Sequence, residues 1–377
     1  MCFFSLLVLV CGYYYQPSDL GGYSLGVGGA PIGLDNSVEC GLYNPAAFTN
    51  AESLNVFAGY KLRKGTLSFV GAPQDTASMD YAFPDYFGVA FPFGTGFFLN
   101  ASFSVPYMAA QQDSLTVTVV DSSAPGGYRF FPAEISNVTR FYSLNPAIGK
   151  NINGKLSVGL KMAVFWMRTS SSFESEDPDY SASNYTLDKY GIEPCLGLQY
   201  EANDIFSFGA LIKRGFGKAY KENSDGEVSS VESDEGLPLL LGFGTGINIK
   251  DKIYFNLSGE YMHWKLAYSG ELWNSDDFRN VIRIHIGGQY KPNDLLSFSA
   301  GFYTEPYPIK FIAFAPFDEE SYDQMFLTGG IGLDFGRVAL NLSAASSAFI
   351  KRDPSLREEN LFNLSSVSYT HLRAHET

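Results

Sequence analysis

The chain has 377 residues, with 26 Lys and Arg against 40 Asp and Glu, a net charge of −14. Only 18% of residues are charged, 16% are aromatic and 38 are glycine. This balance argues against binding a nucleic-acid backbone and excludes disorder for most of the chain. The absence of any apolar run of about 18 residues excludes a membrane-spanning helix. A glycine-rich, aromatic-rich, charge-poor chain fits an all-β protein, with a membrane barrel among the candidates.

Residues 3–10, Phe-Phe-Ser-Leu-Leu-Val-Leu-Val, are long enough for a signal-peptide core and too short to span a bilayer. Residues 1–20 are expected to form a signal-like segment that directs export. No Lys or Arg precedes the run, so a start upstream of Met1 is expected. Val10 is too bulky for a lipoprotein box before Cys11.

Residues 21–53 precede the first strand. They hold Gly21, Gly22, Gly26, Gly28 and Gly29, then Asp35 to Ala47. The stretch is too long and too apolar for a tail, and is expected to plug the inside of a barrel over 54–366.

From there, short turn signals recur: Phe93–Gly96, Asn151–Gly154, Ala202–Asp204, Lys250–Lys252, Pro292–Asp294 and Phe335–Arg337. Asn153-Gly154 is a strong hairpin dipeptide. Longer polar stretches alternate with them, at 107–135, 169–188, 217–235, 269–278, 305–323 and 351–360. The flanking segments alternate apolar and polar with period two, which means strands. Leu156, Val158, Leu160, Met162, Val164 and Trp166 share one face; Ile282, Ile284, Ile286 and Tyr290 share another.

Counting strands gives fourteen, the last beginning near 361 and cut short. An even number of strands, tight turns on one rim and long loops on the other is the bacterial outer-membrane arrangement, and closure removes the edges a bilayer cannot tolerate. A soluble sandwich or propeller would also alternate, but needs no such loop asymmetry. Tyr142, Trp166, Tyr200, Tyr261, Trp264, Tyr290 and Phe335 fall near strand ends as interface girdles. Residues 367–377 read as a non-native tail, since Ser368 to Thr377 look like translated adapter sequence.

Chemistry-bearing constellations are few. The four cysteines form no CxxC, and the four His are scattered. No metal and no cofactor are therefore expected. No GxSxG occurs and no Ser/His/Asp set can be assigned, so the chain reads as no enzyme. Lys161, Glu193, Glu260, Arg283, His285 and Asp334 are polar lumen candidates. They pair structurally, or Lys161 or Arg283 receives a ligand carboxylate. Loop acids such as Glu174 are solvated, or bridge cations to lipopolysaccharide. The run Tyr307–Phe317, with Phe311, Ile312 and Phe314, is apolar within a loop, and exposed apolar patches mark contacts. Ligand capture, packing on other loops and partner binding are its three readings. Pro106 removes a ladder donor near the end of the third strand, and a kink at Asn100 or Pro106 would weaken the wall there.

A glycine-rich start, an acidic segment and then Tyr43-Asn44-Pro45-Ala46-Ala47 before the first strand resemble the FadL/TodX outer-membrane transport family. Leu144-Asn145-Pro146-Ala147-Ile148 also resembles a strand of that family. Glu39-Cys40-Gly41 and Ala47 depart from its pattern. The resemblance implies a 14-stranded barrel in the bacterial outer membrane, with Asn44 and Pro45 in an N-terminal hatch. It implies uptake of long-chain fatty acids or aromatic hydrocarbons, released sideways where the third strand kinks. Expected partners are hydrophobic small molecules and outer-membrane lipid or lipopolysaccharide, the chain being a monomer. A FadL-like barrel in a protein secretion or surface-attachment system is the alternative. A general porin fits poorly with residues 21–54.

Overall fold

In the computed structural model the described residues are 20–29, 31–34, 37–50, 53–69, 72–78, 81–120, 128–175, 183–223, 228–231, 236–267, 276, 278–308, 310, 323–348 and 357–370. Two short helices, α1 (Gly22–Gly26) and α2 (Cys40–Tyr43), and a 3-10 turn (Pro45–Asn50) precede the strands. The strands are β1 (Leu54–Phe69), β2 (Ala72–Ser78), β3 (Tyr81–Phe93), β4 (Phe97–Val120), β5 (Tyr128–Asn151), β6 (Leu156–Ser175), β7 (Ser183–Glu201), β8 (Phe206–Lys213) and β9 (Phe216–Asn223). They continue with β10 (Val228–Val231), β11 (Leu239–Ile249), β12 (Ile253–His263), β13 (Val281–Tyr290), β14 (Leu296–Glu305), β15 (Gln324–Asp334), β16 (Val338–Ser346) and β17 (Arg357–Thr370).

Neighbouring strands pair antiparallel, and β17 pairs with β1 from Leu54↔Thr370 to Leu67↔Arg357, which closes the sheet. The result is a closed fourteen-stranded transmembrane barrel. β2 and β3 are successive parts of one strand of the ring, as are β8 and β9, which both pair with β7. Among the described residues β10 pairs only with β9 and lies outside the ring. β17 begins before residue 361, and Ser368–Thr370, from the tail-like stretch, lie in its ladder. Residues 1–19 and 371–377 lie outside the described residues.

The tight turns are built as their sequences require. Asn153 accepts hydrogen bonds from Lys155 and Leu156 N–H, and Gly154 has φ 77. Asn203 and Asn293 close their turns in the same way. Lys250 and Asp251 both have positive φ, as a two-residue hairpin turn demands. The opposite rim differs from expectation. Much of 107–135 and 169–188 is strand, because β4–β5 and β5–β6 keep pairing out to Val120↔Tyr128 and Ala133↔Ser175.

Period two sorts the residues as expected. Leu160, Met162, Val164, Leu196, Leu198, Ile282, Ile284 and Ile286 are exposed on the outside, facing lipid. An aromatic row crosses five neighbouring strands there: Phe103, Tyr142, Trp166, Tyr190 and Tyr220, with successive ring centroids 6.0, 5.2, 6.2 and 6.3 Å apart. Tyr200, opposite Leu156, marks the other rim. Ten residues separate Trp166 from Leu156. On a strand tilted by about 40° that is about 25 Å, the height of a membrane-barrel apolar band. Trp264 departs from the girdle pattern. It sits in a 3-10 turn after β12, is buried, and stacks on Phe278.

Candidate functional site

The lumen is occupied at the turn-side end by the N-terminal segment. Every described residue from 20 to 48 is buried except half-buried Ser37. Two carboxylates fasten its start to the wall. Asp85 of β3 accepts hydrogen bonds from Gly21 N–H (2.8 Å) and Asn363 (2.6 Å), and pairs with Lys61 of β1 (2.9 Å). Glu39 of the plug accepts from Tyr23 N–H (2.8 Å), Ser24 N–H (3.3 Å) and the Ser365 hydroxyl of β17 (2.6 Å). Burial pushes the Glu39 carboxyl above its ordinary value, against the pull of the hydrogen bonds it accepts.

Further along, Asn44 Nδ2 donates to the carbonyls of Ile32 (3.1 Å) and Leu198 (2.9 Å). Its Oδ1 accepts from Ala46 N–H, and Pro45 packs on Gly159 and Gly197. Gln199 Nε2 (2.9 Å) and Ser207 Oγ (2.6 Å) both donate to Gly33 O, His285 lies 3.0 Å from Gly28 O, and Thr328 donates to Gly26 O. Asn44 and Pro45 thus sit at the centre of plug–wall contact. Lumen-facing glycines make the approach feasible: a Cβ at Gly209 would overlap Ile32 O, and one at Gly287 would overlap Val27 O. Nothing in the local sequence around these glycines marks them for this use.

Between plug and wall lies a small cavity of about 20 Å3. Leu20, Leu42 and Tyr43 face it from the plug; Pro106, Lys161 and Lys213 are among the wall residues lining it. Lys161 Nζ donates to Leu42 O (2.8 Å), and Lys213 lies 3.4 Å from Glu193. Arg283, outside this lining, is buried with Glu260 at 3.1 Å, which also lies 3.4 Å from His285. Five of the six lumen candidates are therefore buried inside. Asp334 shares the inward register of Thr328 and Gly332 but is exposed at the tight-turn rim, where it lines a pocket with Tyr23 and Ser37 of the plug and accepts from Gly336 N–H. Toward the loop rim the inner face turns apolar, which the reading missed. Phe141 stacks on Phe165 (5.3 Å) and Tyr303 on Phe326 (4.7 Å), and Met167, Leu240, Met262 and Val281 are buried.

The wall is irregular beside this cavity. Asp85 bulges opposite Gly59/Tyr60, so that Asp85 and Tyr86 both turn inward. β4 bulges between Ser104 and Tyr107. The β3–β4 ladder stops at Tyr86↔Ser104, and the next pair between these strands of the ring is Ser78↔Gln112. Among the described residues, Tyr81–Asp85 have no ladder partner on β4. Pro84 and Pro106 flank this seam, and neither has an N–H to donate. The irregularity falls at Pro106 and not at Asn100, which stays in register and donates to Val89 O (3.0 Å). Phe311, Ile312 and Phe314 lie outside the described residues.

This plugged, closed fourteen-stranded ring with an interrupted third strand has the fold of FadL/TodX-type barrels. Three solved structures share the fold. The toluene transporter TbuX of Ralstonia pickettii superposes with a TM-score of 0.67 at 14% identity, over 95% of this chain and 100% of that one. The toluene transporter TodX of Pseudomonas putida gives 0.60 at 17% identity, over 93% and 98%. A FadL homologue of Pseudomonas aeruginosa gives 0.62 at 13% identity, over 94% and 98%. No family model and no curated protein matches the sequence.

Proposed function

We propose that the protein is a bacterial outer-membrane channel for hydrophobic small molecules, releasing them sideways into the bilayer. The solute enters at the loop rim, passes the apolar inner ring at Phe141 and Phe165, and reaches the cavity above the plug. It leaves between β3 and β4. The seam at Pro84 and Pro106 carries this reading, since among the described residues it has no ladder pairs between β3 and β4 and it adjoins the cavity. An apolar solute gains nothing from an aqueous exit and partitions directly into lipid. The shared fold with toluene transporters supports the solute class. Long-chain fatty acids and aromatic hydrocarbons both suit it: Lys161 in the cavity offers a cation to a carboxylate, whereas Arg283 is committed to Glu260. Phe311, Ile312 and Phe314 are proposed to capture the solute at the loop rim.

The test is a disulfide across the seam. Cysteines replace Phe83 and Tyr107, positions that the flanking pairs Ser78↔Gln112 and Tyr86↔Ser104 set opposite each other. Oxidation should block uptake of a fluorescent fatty acid and of a labelled aromatic hydrocarbon, and reduction should restore it. Normal uptake with the link formed would overturn lateral release.

A further inference from the structure

We propose that the outer wall binds the phosphate groups of an outer-leaflet lipid through Arg140, Arg168 and Lys218. The site rests on the membrane placement given above and not on the transport reading.

Arg140 on β5 and Arg168 on β6 are directly opposed in the ladder. Both lie on the outward face, two residues beyond Tyr142 and Trp166 toward the loop rim. At about 2.5 Å of height per tilted residue, that lifts them about 5 Å above the aromatic row, into the headgroup layer. Like charges directly opposed across a ladder repel, and an anion between them removes the repulsion.

Asp188 answers only one of the two. It is opposed to Arg168 and bound by it bidentately, through Nε and Nη2, both at 2.7 Å. Trp166 Nε1 also donates to Asp188 (3.2 Å), and the Arg168 guanidinium lies over the Trp166 ring at 5.5 Å. These contacts hold Arg168 in place while its side chain stays 43% exposed. Arg140 is exposed and forms no ion pair among the described residues. Lys218, opposed to Tyr190, is exposed on the same face between the rings of the row. The next carboxylates outward along β5 and β6 on this face are Glu134 and Glu174, six residues further along their strands. Arg140 and Arg168 above the aromatic row and Lys218 within it stand against Asp188, with Glu222 the next carboxylate outward on β9. Cations beside an aromatic shelf match a lipid whose headgroup carries phosphate and whose chains lie along the wall below.

The commonest such lipid in an outer leaflet of this kind is lipopolysaccharide, and its lipid A is the probe. The full-length barrel in detergent is titrated with lipid A and with lipid A stripped of its phosphates. Arg140→Ser with Lys218→Ser is the variant, since neither residue makes a contact the fold depends on. Arg168 is left to its partner. The wild type should hold the phosphorylated lipid at least tenfold more tightly than the stripped one, and the variant should lose roughly that factor. Thermal stability and solute uptake should stay unchanged. Equal binding of the two lipids, or unaltered affinity in the variant, would overturn the site. Neither result would bear on lateral release, which the seam disulfide tests separately.

Discussion

Gly209 offers the sharpest test of how the plug is held. A methyl there would overlap the Ile32 carbonyl, so Gly209→Ala forces the 31–34 backbone off the wall. Retreat breaks three hydrogen bonds: Asn44 to Ile32 O, Gln199 to Gly33 O and Ser207 to Gly33 O. At about 0.5–1.5 kcal/mol each, the seated state loses about 1.5–4.5 kcal/mol. The unseated population should therefore rise roughly ten- to thousandfold. Single-channel recording in planar bilayers reads this directly, as more frequent openings or a higher mean conductance. Gly329→Ala is the control, because a Cβ there meets nothing closer than Ser299 O at 3.7 Å. If Gly209→Ala conducts no more than wild type while Gly329→Ala behaves identically, the close approach of plug and wall is not what keeps the lumen shut.

Two further outcomes follow from the carboxylates at the start of the plug. Asp85→Asn should destabilise the barrel by about 3–5 kcal/mol, since it leaves the buried Lys61 charge without its counter-ion, and chemical denaturation would measure the loss. A loss below 1 kcal/mol would mean that Lys61 finds an equivalent partner. Glu39 sets a pH dependence. Its folded-state affinity for a proton is raised above the ordinary 4.5, so the seated plug binds more protons than the released one. The seated state is then favoured at low pH and loses stability as pH rises from 4.5 through the raised value. Protease cleavage within 20–50 should accelerate over that window in wild type, and Glu39→Gln should flatten the profile.

Much of this was legible because a bilayer imposes simple rules on sequence. Ile282, Ile284 and Ile286 face lipid, so alternation survives along β13. Asn153-Gly154 must turn, and the sticky, glycine-rich run before β1 had to be buried somewhere. What was not legible depends on which strand lies beside which. The seam needs both Pro84 and Pro106, and only the ladder shows that they flank the same gap. The lumen glycines are ordinary until a backbone carbonyl is seen against them. Trp264 matched the girdle by position, but it falls just past the end of β12, where alternation no longer fixes its direction. The apolar inner ring left a trace that alternation arguments passed over: Val164-Phe165-Trp166-Met167 and Leu239-Leu240-Leu241 are apolar on both faces, which a polar lumen would not produce.

The ring's closing ladder joins the first strand to the last, so no local contact can complete it, and such long-range pairing forms late. The plug comes before β1 in the chain, while Ser365 and Asn363 on the closing strand find their partners in Glu39 of the plug and in Asp85, which also holds Gly21. The final strand thus closes the ring partly on the plug itself. The barrel is sealed on its contents, and the contents supply part of the edge on which the seal is made.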